Sequence, residues 1–378
     1  MKTLGIVLFA AAAPLLSAQS GPGLAQGRPE IRSMSALAFG PGGVLFVGDG
    51  KAGAVFALDL ADTTPREVQE PKEVVDVEAK LAALLGATPA DVMVHDLAVN
   101  PISKNVYLAV SRGRAAWGDR WLLPNDVADA SLLVKIDADG RFFAVDLASV
   151  RFARIALPNP IDPAKTHAWK KGVSLRSEAI TDLVYGDGTL FVAGLSNEEF
   201  AATLWRVKYP FEGAVAATTL ESYHGAHGKY ETDAPIRALV PYPLNGKLHV
   251  LAAYLCTPLV TFPMAELQDK RQLRGRTVAE FGSGNYPLDM VVYRNEGREK
   301  LLIANTSLPL MIVDPKDVEA FSGEITTEVP GYMGGVKYEA RSSGAVQQLD
   351  NYGDSHLIAL QRITSGRLDL VPMTVRRF

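Results

Sequence analysis

Six times along the chain an apolar run closes on a tight turn and a second apolar run comes straight back. The six stretches are SALAFGPGGVLFVGDG, HDLAVNPISKNVYLAVSRG, TDLVYGDGTLFVAGLSN, RALVPYPLNGKLHVLAAY, LDMVVYRNEGREKLLIANTS and QQLDNYGDSHLIALQR. Their anchors are Leu37, Leu97, Leu183, Leu239, Met290 and Leu349, at intervals of 51 to 60 residues with one of 86. That is the length of a four-stranded propeller blade with its loops. The turns are rich in Gly, Asp, Asn and Pro, as hairpins require. Third runs follow (AVFALDL, SLLVKIDADG, ATLWRVKYPF, PLVTFPM, PLMIVDP, GRLDLVPM), and RFFAVDL, AATTLESYH and RTVAEFG read as fourth strands. The pattern predicts an all-β propeller of six four-stranded blades, the long interval leaving a seventh open. One short helix is expected in KEVVDVEAKLAALLGATPADV, between the first two repeats, stopping at Gly86. The insertion from about Arg151 to Ser177 reads as a long loop.

The first 20 residues stand apart. Lys2, an apolar run from Leu4 to Leu16 and the small residues Ser17, Ala18 and Ser20 have the layout of a cleaved secretory signal. Residues 21 to 378 are then expected to form one propeller domain, periplasmic or extracellular, and no later run is long enough to span a membrane. A formal net charge of −4 supplies no basic field for nucleic acid. Cys256 is the single cysteine, which excludes an intrachain disulfide, and it reads as a small buried apolar residue.

Propeller topology sorts the loops by face. The start of each first strand, the end of each second strand and the linker from an outer strand to the next inner strand share one mouth, where ligands converge in such folds. HGAHGKYETDAP falls in such a linker and IRALVPY begins the next inner strand, which together bring His224, His227, Glu231 and Arg237 to the mouth. The same rule adds His95, Asn285, Tyr286, Arg112, Arg114, Tyr254 and Asn305. His95, His227 and Glu231 are the candidate acid–base groups; the others are candidate ligand contacts. His224 and His227 form an H-x-x-H pair, short of the three ligands a metal needs, so a divalent metal stays open as the one cofactor these residues suggest. Asp96, Asp182 and Asp289 each stand one residue before an anchor, which suits acceptors that tie neighbouring blades. His249 and His356 fall on the far side and read as structural. His167 lies in the insertion with no partner evident in the sequence.

The repeat pattern, clearest in HDLAVNPISKNVYLAV and TDLVYGDGTLFVAG, resembles the six-bladed propellers of the gluconolactonase and NHL-repeat superfamily over roughly residues 31 to 376. The resemblance implies the fold. Gluconolactonases hold a divalent metal in the channel through a Glu from the first blade and Asn or Asp two residues before the anchor. Here those positions are Ser35, His95, Thr181, Arg237, Leu288 and Gln347, so that ligand set does not carry over. Two function classes follow: a mouth that binds a small polar or anionic molecule or a sugar, with hydrolysis by histidine and acid within its chemistry, or a non-catalytic module whose rim contacts a protein or polymer.

Overall fold

The computed structural model describes residues 23–67, 69–112, 131–168, 172–256, 258–331 and 333–378. The expected leader and Arg114 lie outside them. Six sheets form a six-bladed ring. Blade 1 holds Ala36–Phe39, Leu45–Asp49 and Ala54–Asp59, and blade 2 holds Val92–Val99, Val106–Arg112, Ser131–Ile136 and Phe142–Ala144. Blade 3 holds Asp182–Gly186, Thr189–Leu195, Ala202–Lys208 and Ala216–His224; blade 4 holds Ile236–Leu244, Lys247–Tyr254, Pro258–Pro263 and Arg276–Glu280. Blade 5 holds Pro287–Asn295, Arg298–Asn305, Leu310–Val313 and Glu339–Arg341, and blade 6 holds Ala345–Tyr352, His356–Arg362 and Leu368–Thr374. Every first hairpin anticipated from the repeats is present.

The ring does not follow chain order. Inner strands pack in the cycle 2, 1, 3, 4, 5, 6, so blade 1 sits between blades 2 and 3, and blade 6 closes on blade 2. Two excursions of the chain produce this order. After its third strand blade 1 is left unfinished, and its outer strand, Val150–Ala156, arrives only after blade 2 has been built. The opening of the insertion is therefore a strand, not loop: VRFARIA alternates poorly because it is half exposed on the outer side of the blade, covered beyond it only by the short strand Ala25–Gly27. This returning strand, with the cover that follows it, accounts for the 86-residue interval without a seventh blade.

Closure uses the other excursion. Val74 exchanges two backbone hydrogen bonds of 2.9 Å with Leu370 in the last strand of blade 6, giving that three-stranded sheet a rudimentary outer partner. The chain then enters helix α1 (Val77–Leu85). Asp76 caps α1 by accepting from the Ala79 N–H, and Gly86 ends it at φ 64°, a conformation glycine adopts without strain. Val77, Leu81, Ala82 and Leu85 pack the helix into the apolar seam between blades 2 and 6.

The anchor acids tie the inner strands together. Asp182 accepts from its own neighbour Leu183 N–H and from Leu239 N–H of blade 4, both at 2.7 Å. Asp96 does the same for Leu97 and Leu37 of blade 1, and Asp289 for Met290 and Leu349 of blade 6. Asp350, one residue after its anchor, links Asn351 to Val99 of blade 2. Burial pushes Asp96, Asp182 and Asp289 well above the usual carboxylate range, and their mutual repulsion adds to it. These acids line a channel cavity of about 720 Å³ that runs between the blades to the hairpin turns at Lys104, Arg294 and Asp354.

Candidate functional site

The strand registers fix which side chains reach the mouth. The end of Ala216–His224 lies at the same edge of blade 3 as the start of Asp182–Gly186 and the end of Thr189–Leu195. In blades 2, 4, 5 and 6 the first hairpin slips register at the residue two before the anchor: His95, Arg237, Leu288 and Gln347 are the skipped positions. Such bulges re-aim a side chain and recur beside binding sites. Ser35 and Thr181 take the equivalent places in blades 1 and 3, just ahead of their strands.

Arg237 is the charged member of this ring. Its guanidinium donates to Glu178 Oε1 at 2.8 Å, and its Nε is buried with no hydrogen-bond partner among the described residues. Glu178 comes from a short turn, Leu175–Glu178, at the end of the insertion, capped by Ser174. The insertion lies over the mouth: Arg176 donates to Ile161 O and to Lys51 O. His167 Nε2 sits 3.4 Å from Glu178 Oε1, the partner that the sequence did not reveal. Tyr286, at the entrance to blade 5, adds a phenol whose ionisation burial pushes up and the Arg237 charge eases back down. Charged and polar groups from blades 3, 4 and 5 thus share one corner of the mouth.

The linker itself is a hairpin. Ala216–His224 turns through GAHG and returns as Lys229–Glu231, pairing Ser222 with Glu231 and His224 with Lys229. The His227 and Gly228 N–H groups both donate to His224 O, so the turn curls like one turn of helix. The two imidazoles consequently stack, with centroids 5.7 Å apart and planes 11° from parallel. Gly225 has no room for a side chain: a Cβ would come within 2.8 Å of Val329. Glu280, nearly fully buried, accepts from Ala226 N–H and braces the turn from blade 4; burial pushes its carboxyl up to about 7.

Around that turn His227 Nδ1 lies 2.7 Å from Glu231 Oε1, and His224 Nδ1 lies 3.5 Å from Glu231 Oε2. His224 is completely buried, its Nε2 is 3.2 Å from Ser222 Oγ, and the Tyr254 ring packs edge-on against it. Burial lowers His224 to about 4, so its imidazole is neutral near neutral pH. Glu231 is held below the usual carboxylate range; burial opposes this, and His224 and His227 outweigh it. Lys229 Nζ stands 3.4 Å from Glu231.

The remaining sequence candidates are placed as follows. His95 Nε2 is 2.8 Å from the buried Ser111 Oγ, and burial lowers the imidazole to about 4. Arg112 donates to Leu85 O, holding the end of α1. Asn285 donates to Asn305 and accepts from the Thr306 hydroxyl and Ser307 N–H, so both asparagines shape the entrance to blade 5. Tyr254 is core, packed among blades 3 and 4. Cys256 is buried, with Gly284 N–H 3.4 Å from its sulfur. None of the sequence candidates among the described residues lines the channel cavity. Glu178 and Glu280 were missed, although Glu178 stands five residues before an anchor, where the topology rule already points to the mouth.

No protein-family model matches the chain, and no curated protein matches it in sequence. Solved structures resemble it over nearly its whole length. A Thermus thermophilus protein assigned as an oxidoreductase of the glucose dehydrogenase type matches 93% of this chain and 100% of its own at 13% identity, TM-score 0.38. The extracellular domains 1–2 of Drosophila semaphorin 1b match 95% of this chain and 88% of their own at 10% identity, TM-score 0.38. At these values the likeness carries no argument about chemistry, and the propeller is read from its own sheets. Among the described residues no helix is long and apolar enough to cross a membrane.

Proposed function

We propose that this is an exported propeller whose mouth binds a small anionic molecule, such as an organic acid or an acidic sugar, on Arg237. The observation that carries the reading is the guanidinium itself. It stands at a bulge in an inner strand, steadied from one side by Glu178, with a buried Nε donor left unpartnered. A buried donor without an acceptor costs about 1–3 kcal/mol, a cost that a carboxylate oxygen at Nε would relieve. Tyr286 supplies a hydroxyl beside it, as a polar ligand requires. Binding fits better than turnover, because the hydroxyl paired with His95, that of Ser111, is buried and out of a ligand's reach.

The test is a thermal-shift and calorimetric screen of carboxylates, uronic acids and neutral sugars on secreted protein whose mass first establishes removal of the leader. Arg237→Ala should weaken the best anionic ligand at least tenfold, and Lys104→Ala, at the far end of the channel, should leave it unchanged. The reverse pattern would move the ligand into the channel cavity and overturn the assignment. An intact Met1 would overturn export.

A further inference from the structure

The hairpin beyond blade 3 carries a second constellation, independent of Arg237. From its geometry we infer that His224, His227 and Glu231 form a divalent transition-metal site, with zinc the best fit. Their three ligand atoms lie within 4.8 Å of one another. Two imidazole nitrogens and one carboxylate are borderline ligands of the kind zinc takes, and three protein ligands leave a position open for water or another molecule.

Geometry favours a metal over a plain ion pair for two reasons. A tetrahedral zinc with bonds of about 2.0–2.1 Å sets its ligand atoms about 3.3 Å apart. His224 Nδ1 and Glu231 Oε2, at 3.5 Å, already have that separation, which is too long for a good hydrogen bond. Second, His224 Nδ1 is buried with no hydrogen-bond partner among the described residues, in a side chain that is fully buried and directed at Glu231. Ser222 Oγ on Nε2 fixes the orientation of the ring, and in the tautomer with its proton on Nε2, donated to that hydroxyl, the Nδ1 lone pair points into the cluster. That is the outer hydrogen bond that orients a metal-binding imidazole.

His227 and Glu231 complete the set. Their 2.7 Å contact is made to the other carboxylate oxygen, Oε1, and its hydrogen-bonded proton is displaced when a metal draws both imidazoles toward one oxygen of Glu231. His227 sits on the turn with 33% of its side chain exposed, so it can make that movement and the open position is reachable from outside. Lys229 is 65% exposed at its side chain and is free to swing its ammonium away.

The experiment titrates chelator-stripped full-length mature protein with Zn²⁺ against a chromophoric competitor, and with Co²⁺ read by its visible absorption. One equivalent of Zn²⁺ should bind, and Co²⁺ should give the intense bands of four- or five-coordinate ligation. His227→Ala, at a partly exposed position, and Glu231→Gln, which keeps the shape of the side chain, should each weaken Zn²⁺ at least tenfold with unchanged far-ultraviolet dichroism. His356→Ala, on the opposite face, should leave it unchanged. Absence of stoichiometric binding, or binding that survives both variants, overturns the site. Because the probe is the metal alone, the outcome is separate from that of the anion screen.

Discussion

Replacing Asp182 by Asn tests whether the anchor acids hold the ring together. The carboxylate joins blade 3 to blade 4 by accepting at 2.7 Å from Leu183 N–H on one oxygen and from Leu239 N–H on the other. Asn keeps the shape and one oxygen, and sets an NH₂ against the second anchor N–H. An orphaned buried N–H costs about 1–3 kcal/mol. Against this stands relief of the repulsion among Asp96, Asp182 and Asp289 across the channel. Two close hydrogen bonds to backbone N–H groups outweigh a repulsion already softened by the raised proton affinities, so a net loss of about 2 kcal/mol is expected for Asn and about 3–5 for Ala, which leaves both N–H groups without a partner. At about 2.1 cal/mol/K per residue over 378 residues, unfolding carries about 0.8 kcal/mol per degree, so the Asn variant should melt about 2–3 °C lower. Differential scanning calorimetry of Asp182→Asn, Asp182→Ala and Asp187→Asn measures it, Asp187 being a solvent-exposed hairpin residue expected to change little. An Asn variant as stable as the parent, or more stable, would refute the bracing role and show that repulsion among the acids outweighs the hydrogen bonds they accept.

Glu280→Gln should change how stability depends on pH. Because burial raises this carboxyl from 4.5 to about 7 in the folded protein, its favourable contribution is full below about pH 4.5 and is lost as pH rises through 7. The shift corresponds to about 3 kcal/mol, or about 4 °C; the parent should fall by that amount relative to the Gln variant between pH 5 and pH 9, and a constant difference would count against the burial argument. Val74→Pro removes the N–H that bonds Leu370 and should loosen ring closure. Hydrogen exchange at strand Leu368–Thr374 should quicken by at least tenfold, whereas unchanged protection would mean that α1 alone closes the ring.

The blades were legible because each is a local object. A hairpin such as Thr189–Leu195 against Asp182–Gly186 is specified by its own alternation and by the turn GDG, where Asp187 and Gly188 both take positive φ. Ring order is not local. It depends on Val150–Ala156, a half-exposed strand, returning to blade 1 and on Val74, buried but paired only through an isolated bridge, reaching blade 6, and neither leaves a regular hydrophobic alternation in the sequence. Sequence reading therefore sees six blades and assumes the simplest order. The expectation that the repeated acids are ties succeeded for the opposite reason: the offset of one residue from the anchor fixes where the carboxylate can reach, whichever blade is the neighbour.

The same distinction explains the mouth. The topology rule placed the HGAHGKYETDAP linker at the correct edge, since it needs only strand direction. It could not show that the linker folds back on itself, because Lys229–Glu231 is too short to announce a strand. That return is what gives His224 and His227 their third partner: Glu231 lies four residues beyond His227 along the chain but comes opposite Ser222, one side chain from His224, across the hairpin. Gly225 and Gly228 are what permit it, the first because Val329 leaves no room for a Cβ, the second because its φ of 64° suits a residue without one. An H-x-x-H between glycines is weak as a linear motif. It gains meaning only when the glycines are read as the turn and the acid beyond them as the returning strand, and that reading ties the metal proposal to backbone geometry as firmly as to the histidines: Gly225→Ala, which alters no ligand, should lower Zn²⁺ affinity in the same titration as His227→Ala does.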